Sequence, residues 1–196
     1  MKVFGLTGKT GAGKSTVASM LSKKGFFVID GDLIARKVTE KGSPVLESLA
    51  GCFGRDILFP DGTLDRKKLA SRAFASKEAT KKLCELTHPE IHRLFLEEIK
   101  KGEKEGFERC LIDAAALLES PSKKLCEKII VVFCPEEIRL ERILKRDNIT
   151  KNQALQRIKA QKEDSFYLSQ ADIIINNYPP YDIEKEIAKI MKGGVV

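Results

Sequence analysis

The run GKTGAGKS, Gly8 to Ser15, packs three glycines, two lysines and two hydroxyls into eight residues and fits G-x-x-x-x-G-K-[ST] without a mismatch. Glycines admit backbone conformations closed to other residues, so the N–H groups around Gly11, Ala12 and Gly13 can converge on a phosphate. In such a loop Lys14 bridges the β- and γ-phosphates, and the Ser15 hydroxyl is a ligand for Mg²⁺. Thr16 follows, within reach of the same anion. A glycine-rich turn that binds nothing is the competing reading, but the loop lies between an apolar run and a helical pattern, the context that phosphate binding requires.

Two further places carry carboxylates at strand ends. VIDGDLIAR sets Asp30 and Asp32 on either side of Gly31. One of them can take the proton of an attacking hydroxyl and orient it toward phosphorus, or can simply cap a helix. In CLID, Asp113 either holds a magnesium-bound water or caps the helix after it. HPEIH spaces His88 and His92 four apart; this is not H-E-x-x-H and no third ligand is evident, so packing or substrate contact competes with metal binding. In PEEIRLERILKRD, Arg139, Arg142 and Arg146 fall within about 60° of one another at 100° per residue. They lie beside an apolar face of Leu140, Ile143 and Leu144. Such arginines can neutralise charge on a transferring phosphoryl group once a lid closes.

The elements that must hold these groups read as short apolar strands at 3–7, 26–30, 109–113, 128–134 and 171–176, separated by helical patterns. That alternation predicts a parallel α/β sheet covered on both faces. Val17, Met20 and Leu21 mark the apolar side of the first helix, and Gly25 ends it. No strand is evident between Asp32 and about Gly106; helices such as PVLESLAGCF and HPEIHRLFLEEIKK fill that span, broken by the turn FPDGTLD. The segment from about Glu136 to Leu168 is a second helical excursion.

With 196 residues, 42% hydrophobic and 32% charged, the chain is expected to fold around its own core. No run is long enough for a membrane helix and MKVFGLTG does not resemble a signal peptide, so the expected location is the cytoplasm. The five cysteines are odd in number and widely spaced, against a disulfide framework or zinc site. The net charge of +7 raises nucleic acid, but lysines interleaved with glutamates, as in EEIKKGEKEGFE, read as solvated helix faces. No nucleic acid, membrane or obligate protein partner is therefore expected. GTPase spacings D-x-x-G and N-K-x-D and an L-S-G-G-Q signature are missing.

Taken in order, GLTGKTGAGKST, VIDGDLIAR, LTHPEIHR, LKRDNIT and ADIIINN resemble the dephospho-CoA kinase family over essentially the whole chain. The resemblance implies ATP and dephospho-CoA as substrates, Mg²⁺ as cofactor and transfer to the ribose 3′-hydroxyl. It also implies a P-loop NTPase three-layer sandwich with a five-stranded parallel sheet, a helical substrate domain and a helical lid. The corresponding division is a nucleotide-binding core at 1–31, 107–135 and 169–196, an acceptor domain at 32–106 and a lid at 136–168. By motif, Asp32 is the base, Arg36 and His88 contact the acceptor, and Arg142 and Arg146 are the lid arginines, leaving Arg139 solvated. A cap or packing role at a helix start fits His88 equally. Arg157 and Gln161 resemble lid residues of less definite role, and Asn177, after Asn176, lies near the adenine. One departure stands out: DAAALLE places Ala115 and Ala116 where the family has Pro and Leu, which removes a fixed φ angle. A different small-molecule kinase, or a nucleotide-dependent regulator without catalysis, is the competing class.

Overall fold

Five strands form one sheet: β1 (Lys2–Gly8), β2 (Phe26–Asp30), β3 (Arg109–Asp113), β4 (Lys128–Phe133) and β5 (Ile173–Asn176). The computed structural model describes residues 1–191. The strand order is β2-β3-β1-β4-β5, with β1 pairing in parallel with β3 and β4, and β4 in parallel with β5. The expected strands are therefore present, with ends moved by one or two residues. β1 and β4 are central and covered on both faces, which is why they read as continuous apolar runs. Because successive strands leave β1 in opposite directions across the sheet, the carboxyl ends of β1, β3 and β4 border a crevice suited to a ligand.

The helices are α1 (Lys14–Lys23), α2 (Gly31–Val38), α3 (Pro44–Phe53), α4 (Arg66–Ala73), α5 (Lys77–Lys104), α6 (Glu136–Asp147), α7 (Lys151–Lys159), α8 (Asp164–Leu168) and α9 (Ile183–Met191). The chain divides into two compact units, residues 1–29 with 101–196, and residues 30–100.

In the first unit, Val17 and Leu21 of α1 and Ile187 of α9 pack with Leu6, Leu111, Ile130 and Ile175 of the sheet. As expected, α1 ends just before Gly25, whose φ of +86° continues no helix. The segment 136–168 folds as α6, α7 and α8, and Ile143, Ala154 and Ile158 form its small core. α7 is closed by a reciprocal cap between Thr150 and Gln153. In the second unit, Leu49, Ala50, Ile57, Leu69 and Ala73 make a separate core. FPDGTLD turns as predicted, between Leu58 and Leu64, which form an isolated antiparallel bridge.

Two expectations fail at helix ends. α5 does not begin at His88 but runs unbroken through it and through Pro89. A proline costs a helix one hydrogen bond and some crowding. Here Leu83 and Leu86, on the turns before it, pack into the core of this unit and hold the helix across that defect. Nor does a helix follow Asp113: Ala114 bonds back to Leu6 O at 3.2 Å, and the next regular piece is a 3₁₀ turn, Leu117–Glu119, capped at Ala116. Asp113 is therefore not a helix cap.

Candidate functional site

α1 begins at the phosphate-loop sequence without any side-chain cap and without an acidic residue in its first turn. Its N-cap, Gly13, is left-handed (φ +91°, ψ 29°). The first N–H groups of a helix need partners, and most helices supply a serine or aspartate. Here the partial positive charge and the donors are left for an outside anion. Ser15 and Thr16 are exposed in that first turn.

The loop backbone is gripped by groups brought from far along the chain. Asn177 Nδ2 donates to Ala12 O at 2.7 Å. Arg142 Nη1 lies 3.4 Å from both Gly11 O and Ala12 O, and its Nη2 donates to Asn177 O at 3.0 Å. Asn177 N in turn donates to Phe133 O at 2.9 Å, which fixes the strand end carrying it. The carbonyls turn outward toward these side chains, a condition for the amides to turn inward.

A Cβ on Gly13 would run into Asn177 Nδ2. Gly13→Ala therefore meets a clash as well as the roughly 1–2 kcal/mol strain of an L-residue in the left-handed region. Gly25 has the same sign of φ and open space around it. Thermal unfolding should show Gly13→Ala lowering Tm by about 3–6 °C, more than Gly25→Ala does. Equal losses would mean that Asn177 does not press on the loop.

Lys14 Nζ contacts Asp113 Oδ1, the carboxylate at the end of β3. Strand register sets Asp113 beside Leu6, two residues before β1 ends. Of the two readings of Asp113 the helix cap falls, and its carboxylate lies instead against the loop lysine. The turn after it, lacking the family's proline, is tied instead by Thr7 Oγ1 donating to Ala115 O at 3.1 Å. Ala115 and Ala116 themselves are exposed.

The arginines of α6 do not share one environment. Arg142 is half-buried on the loop, while Arg146 is exposed and bonds Asp147 at 2.6 and 3.0 Å. Asp147 also receives Arg157 at 2.6 Å, and these cations hold its carboxyl below the usual carboxylate range. Arg146 is thus not gathered with Arg142. Arg139 is a correction: expected in solvent, it is 1% exposed. It sits one turn before Ile143, so the inward face of α6 runs through it, and its Nε donates to Cys134 O at 3.0 Å.

Around Arg139 lies a cluster that no sequence pattern announced. Its Nη atoms have no hydrogen-bond partner among the described residues, and the carboxylates of Glu136 and Asp164 stand at 3.8 and 4.0 Å. Asp164 pairs with Lys9 of the loop at 2.9 Å, and Gln161 Oε1 accepts from Thr10 N at 2.9 Å. The turn between α7 and α8 is therefore fastened to residues 9 and 10. Gln161, of indefinite role in the sequence, has a definite one here. Lys9 and Asp164, 155 positions apart, could be paired only by the fold.

In the second unit, Asp30 and Asp32 take different roles. Asp30 caps α2, accepting from Asp32 N and Leu33 N at 2.9 Å each. That leaves the Asp32 side chain uncommitted to the cap, exposed in the first turn, with Arg36 one turn further on the same helix. The helix-cap reading of this carboxylate pair holds, and for Asp30 alone.

His88 lies mid-helix in α5, half-buried, so it caps nothing. Burial lowers its pKa from the ordinary 6.5. The unfolded chain then binds a proton that the folded one resists, so stability drops as pH falls through and below about 6.5. Urea midpoints taken at about pH 7 and pH 5 should diverge less in His88→Gln than in the parent. Identical divergence would clear His88.

The described helices include none long and apolar enough to cross a membrane. The sequence model of a family described as dephospho-CoA kinase matches residues 2–180. The chain is similar to a dephospho-CoA kinase of Corynebacterium glutamicum, 39% identical over 96% of this chain and 94% of that one. It is similar also to one of Listeria monocytogenes, 41% identical over 90% and 88%. Among solved structures, a dephospho-CoA kinase from Campylobacter jejuni superposes with a TM-score of 0.67 at 32% identity, covering 98% of this chain and 96% of that one. A shikimate kinase from Acinetobacter baumannii, at 16% identity and a TM-score of 0.54 over 98% and 94%, shares the fold alone.

Proposed function

The chain belongs to the dephospho-CoA kinase family, and from that membership we propose that it moves the γ-phosphate of ATP to the ribose 3′-hydroxyl of dephospho-CoA, yielding CoA and ADP. The observation that carries the phosphate half of this reading is the uncapped start of α1 at Gly13, with its loop backbone held from outside by Arg142 and Asn177.

In this reading the amides of Gly11, Gly13, Lys14 and Ser15 cradle the β-phosphate, with Ala12 and Thr16, whose own amides donate to Lys9 O and Gly13 O, beside it. Lys14 moves between Asp113 and the β- and γ-oxygens. Arg142 and Arg146 offset the charge that spreads over the transferring group; Arg146 does so by exchanging Asp147 for phosphate. Asn177 lines the nucleotide side. Asp32 orients the 3′-hydroxyl and takes its proton, while Arg36 and His88 hold the acceptor. Residues 1–31, 107–135 and 169–196 serve the nucleotide, 32–106 the acceptor, and 136–168 act as the lid.

The Ser15 hydroxyl and the Asp113 carboxylate are hard oxygen donors of the kind Mg²⁺ takes. The ion usually keeps one or two protein oxygens and completes its shell with phosphates and water, so Ser15, with Asp113 through water, would hold it. When bound it neutralises charge on the β- and γ-oxygens. The five cysteines are odd in number and widely spaced, which suits a reducing compartment, and the cytoplasm is the proposed place of action.

The acceptor decides between this reading and another small-molecule kinase. ADP release should be faster with dephospho-CoA than with AMP, CMP or gluconate by at least about 100-fold in kcat/KM. A preference for any of the other three would replace the assignment.

A further inference from the structure

The second unit contains a groove of about 220 Å³ between α2, α4 and α5. Its walls are Leu64, Leu69, Ala70 and Phe74 on one side and Leu83 and Ile91 on the other. Two threonines on it, Thr39 and Thr87, turn their hydroxyls to carbonyls of their own helices, Arg36 O at 3.1 Å and Leu83 O at 2.8 Å. They therefore add methyl surface to the groove and no free donor. Phe74 stays 68% exposed, unusual for an aromatic ring that has a core beside it. The cleft is largely apolar, as the linings of small-molecule sites are.

The charges nearby give the groove a direction. Exposed Arg66 lines it and donates from Nη2 to the backbone Arg36 O at 3.4 Å, which ties this guanidinium to α2. Arg36 lies one helical turn from Asp32, on the same face of α2. Asp32 thus stands on α2 one turn from the residue whose carbonyl holds Arg66, and Arg66 borders the apolar trough. Dephospho-CoA has the matching order of parts: a ribose hydroxyl, a diphosphate, then a long uncharged pantetheine arm.

We infer that the groove between α2, α4 and α5 is the subsite for the uncharged arm of the acceptor, with Arg66 at its mouth on the diphosphate. This rests on the acceptor assigned under Proposed function. It makes Leu69, Ala70 and Phe74 specificity residues, which favour an acceptor with the arm over the same nucleotide without it. An arm held alike in the ground and transition states contributes uniform binding, so it governs KM more than kcat.

The test compares two acceptors, dephospho-CoA and the β-methyl ester of ADP, which keeps the ribose and diphosphate but has no arm. Ala70→Trp fills the trough, and Phe74→Glu, at an exposed position, makes its wall anionic. Each should raise KM for dephospho-CoA about tenfold or more, with kcat within about twofold. KM for the methyl ester should not change, which also reports that the unit is folded. Equal rises for both acceptors, or no rise for either, would overturn the groove assignment while parent turnover of dephospho-CoA stands. A parent enzyme that phosphorylates neither acceptor would remove the acceptor reading itself, and the groove assignment with it.

Discussion

Asp32→Asn is expected to cut turnover of dephospho-CoA by about 10²–10⁴-fold while ATP binds with unchanged affinity. The substitution keeps size and hydrogen-bonding shape but cannot take a proton. Its structural cost is small, because the cap of α2 belongs to Asp30, whose carboxylate accepts both N–H groups at 2.9 Å. The neighbouring substitution separates the two roles. Asp30→Ala should lose about 0.5–2 kcal/mol of stability, the usual cost of removing a cap, and retain most of kcat in what remains folded. Isothermal titration with a non-hydrolysable ATP analogue, run beside the turnover assay, reads both quantities. If Asp30→Ala abolished turnover and Asp32→Asn did not, the two carboxylates would have to exchange roles.

Lys14→Met should lower kcat/KM by at least about 10²–10³-fold, the loss typical of removing one preorganised donor from a transition state. Two effects are mixed in that variant. Lys14 also contacts Asp113, and the two side chains are only 21% and 15% exposed. Removing the cation leaves a half-sequestered carboxylate with one contact fewer, and a fall in Tm is expected. In the double variant Lys14→Met with Asp113→Asn, Tm should recover toward the parent and activity should not. Recovery of activity would mean that Lys14 serves the fold more than the phosphates.

These contrasts also mark where residue types carry structural information and where they do not. The loop from Gly8 to Ser15 was legible because its conformations demand glycine at Gly11 and Gly13, both at positive φ. The strands were legible because burial on both faces requires unbroken apolar runs. Helix periodicity was a weaker guide. It placed Arg139, Arg142 and Arg146 on one side of α6 but could not say that the first of them faces the core. Arginine on an inward face is legible only once the carbonyl and carboxylates around it are in place. HPEIH suggests a helix start that His88 caps or packs, whereas packing carries α5 straight across His88 and Pro89. The Lys9–Asp164 and Thr10–Gln161 contacts join segments too distant for any local pattern. The candidate site was thus readable where chemistry is local, and hidden where one segment fastens another.

A crystal structure of the chain with dephospho-CoA, Mg²⁺ and a non-hydrolysable ATP analogue addresses the central claim most directly. The account predicts an Asp32 carboxylate oxygen about 2.6–3.2 Å from the ribose 3′-oxygen, with that oxygen aimed at the γ-phosphorus. A complex with both ligands in place and the 3′-oxygen beyond the reach of Asp32, or nearer another base, would contradict it.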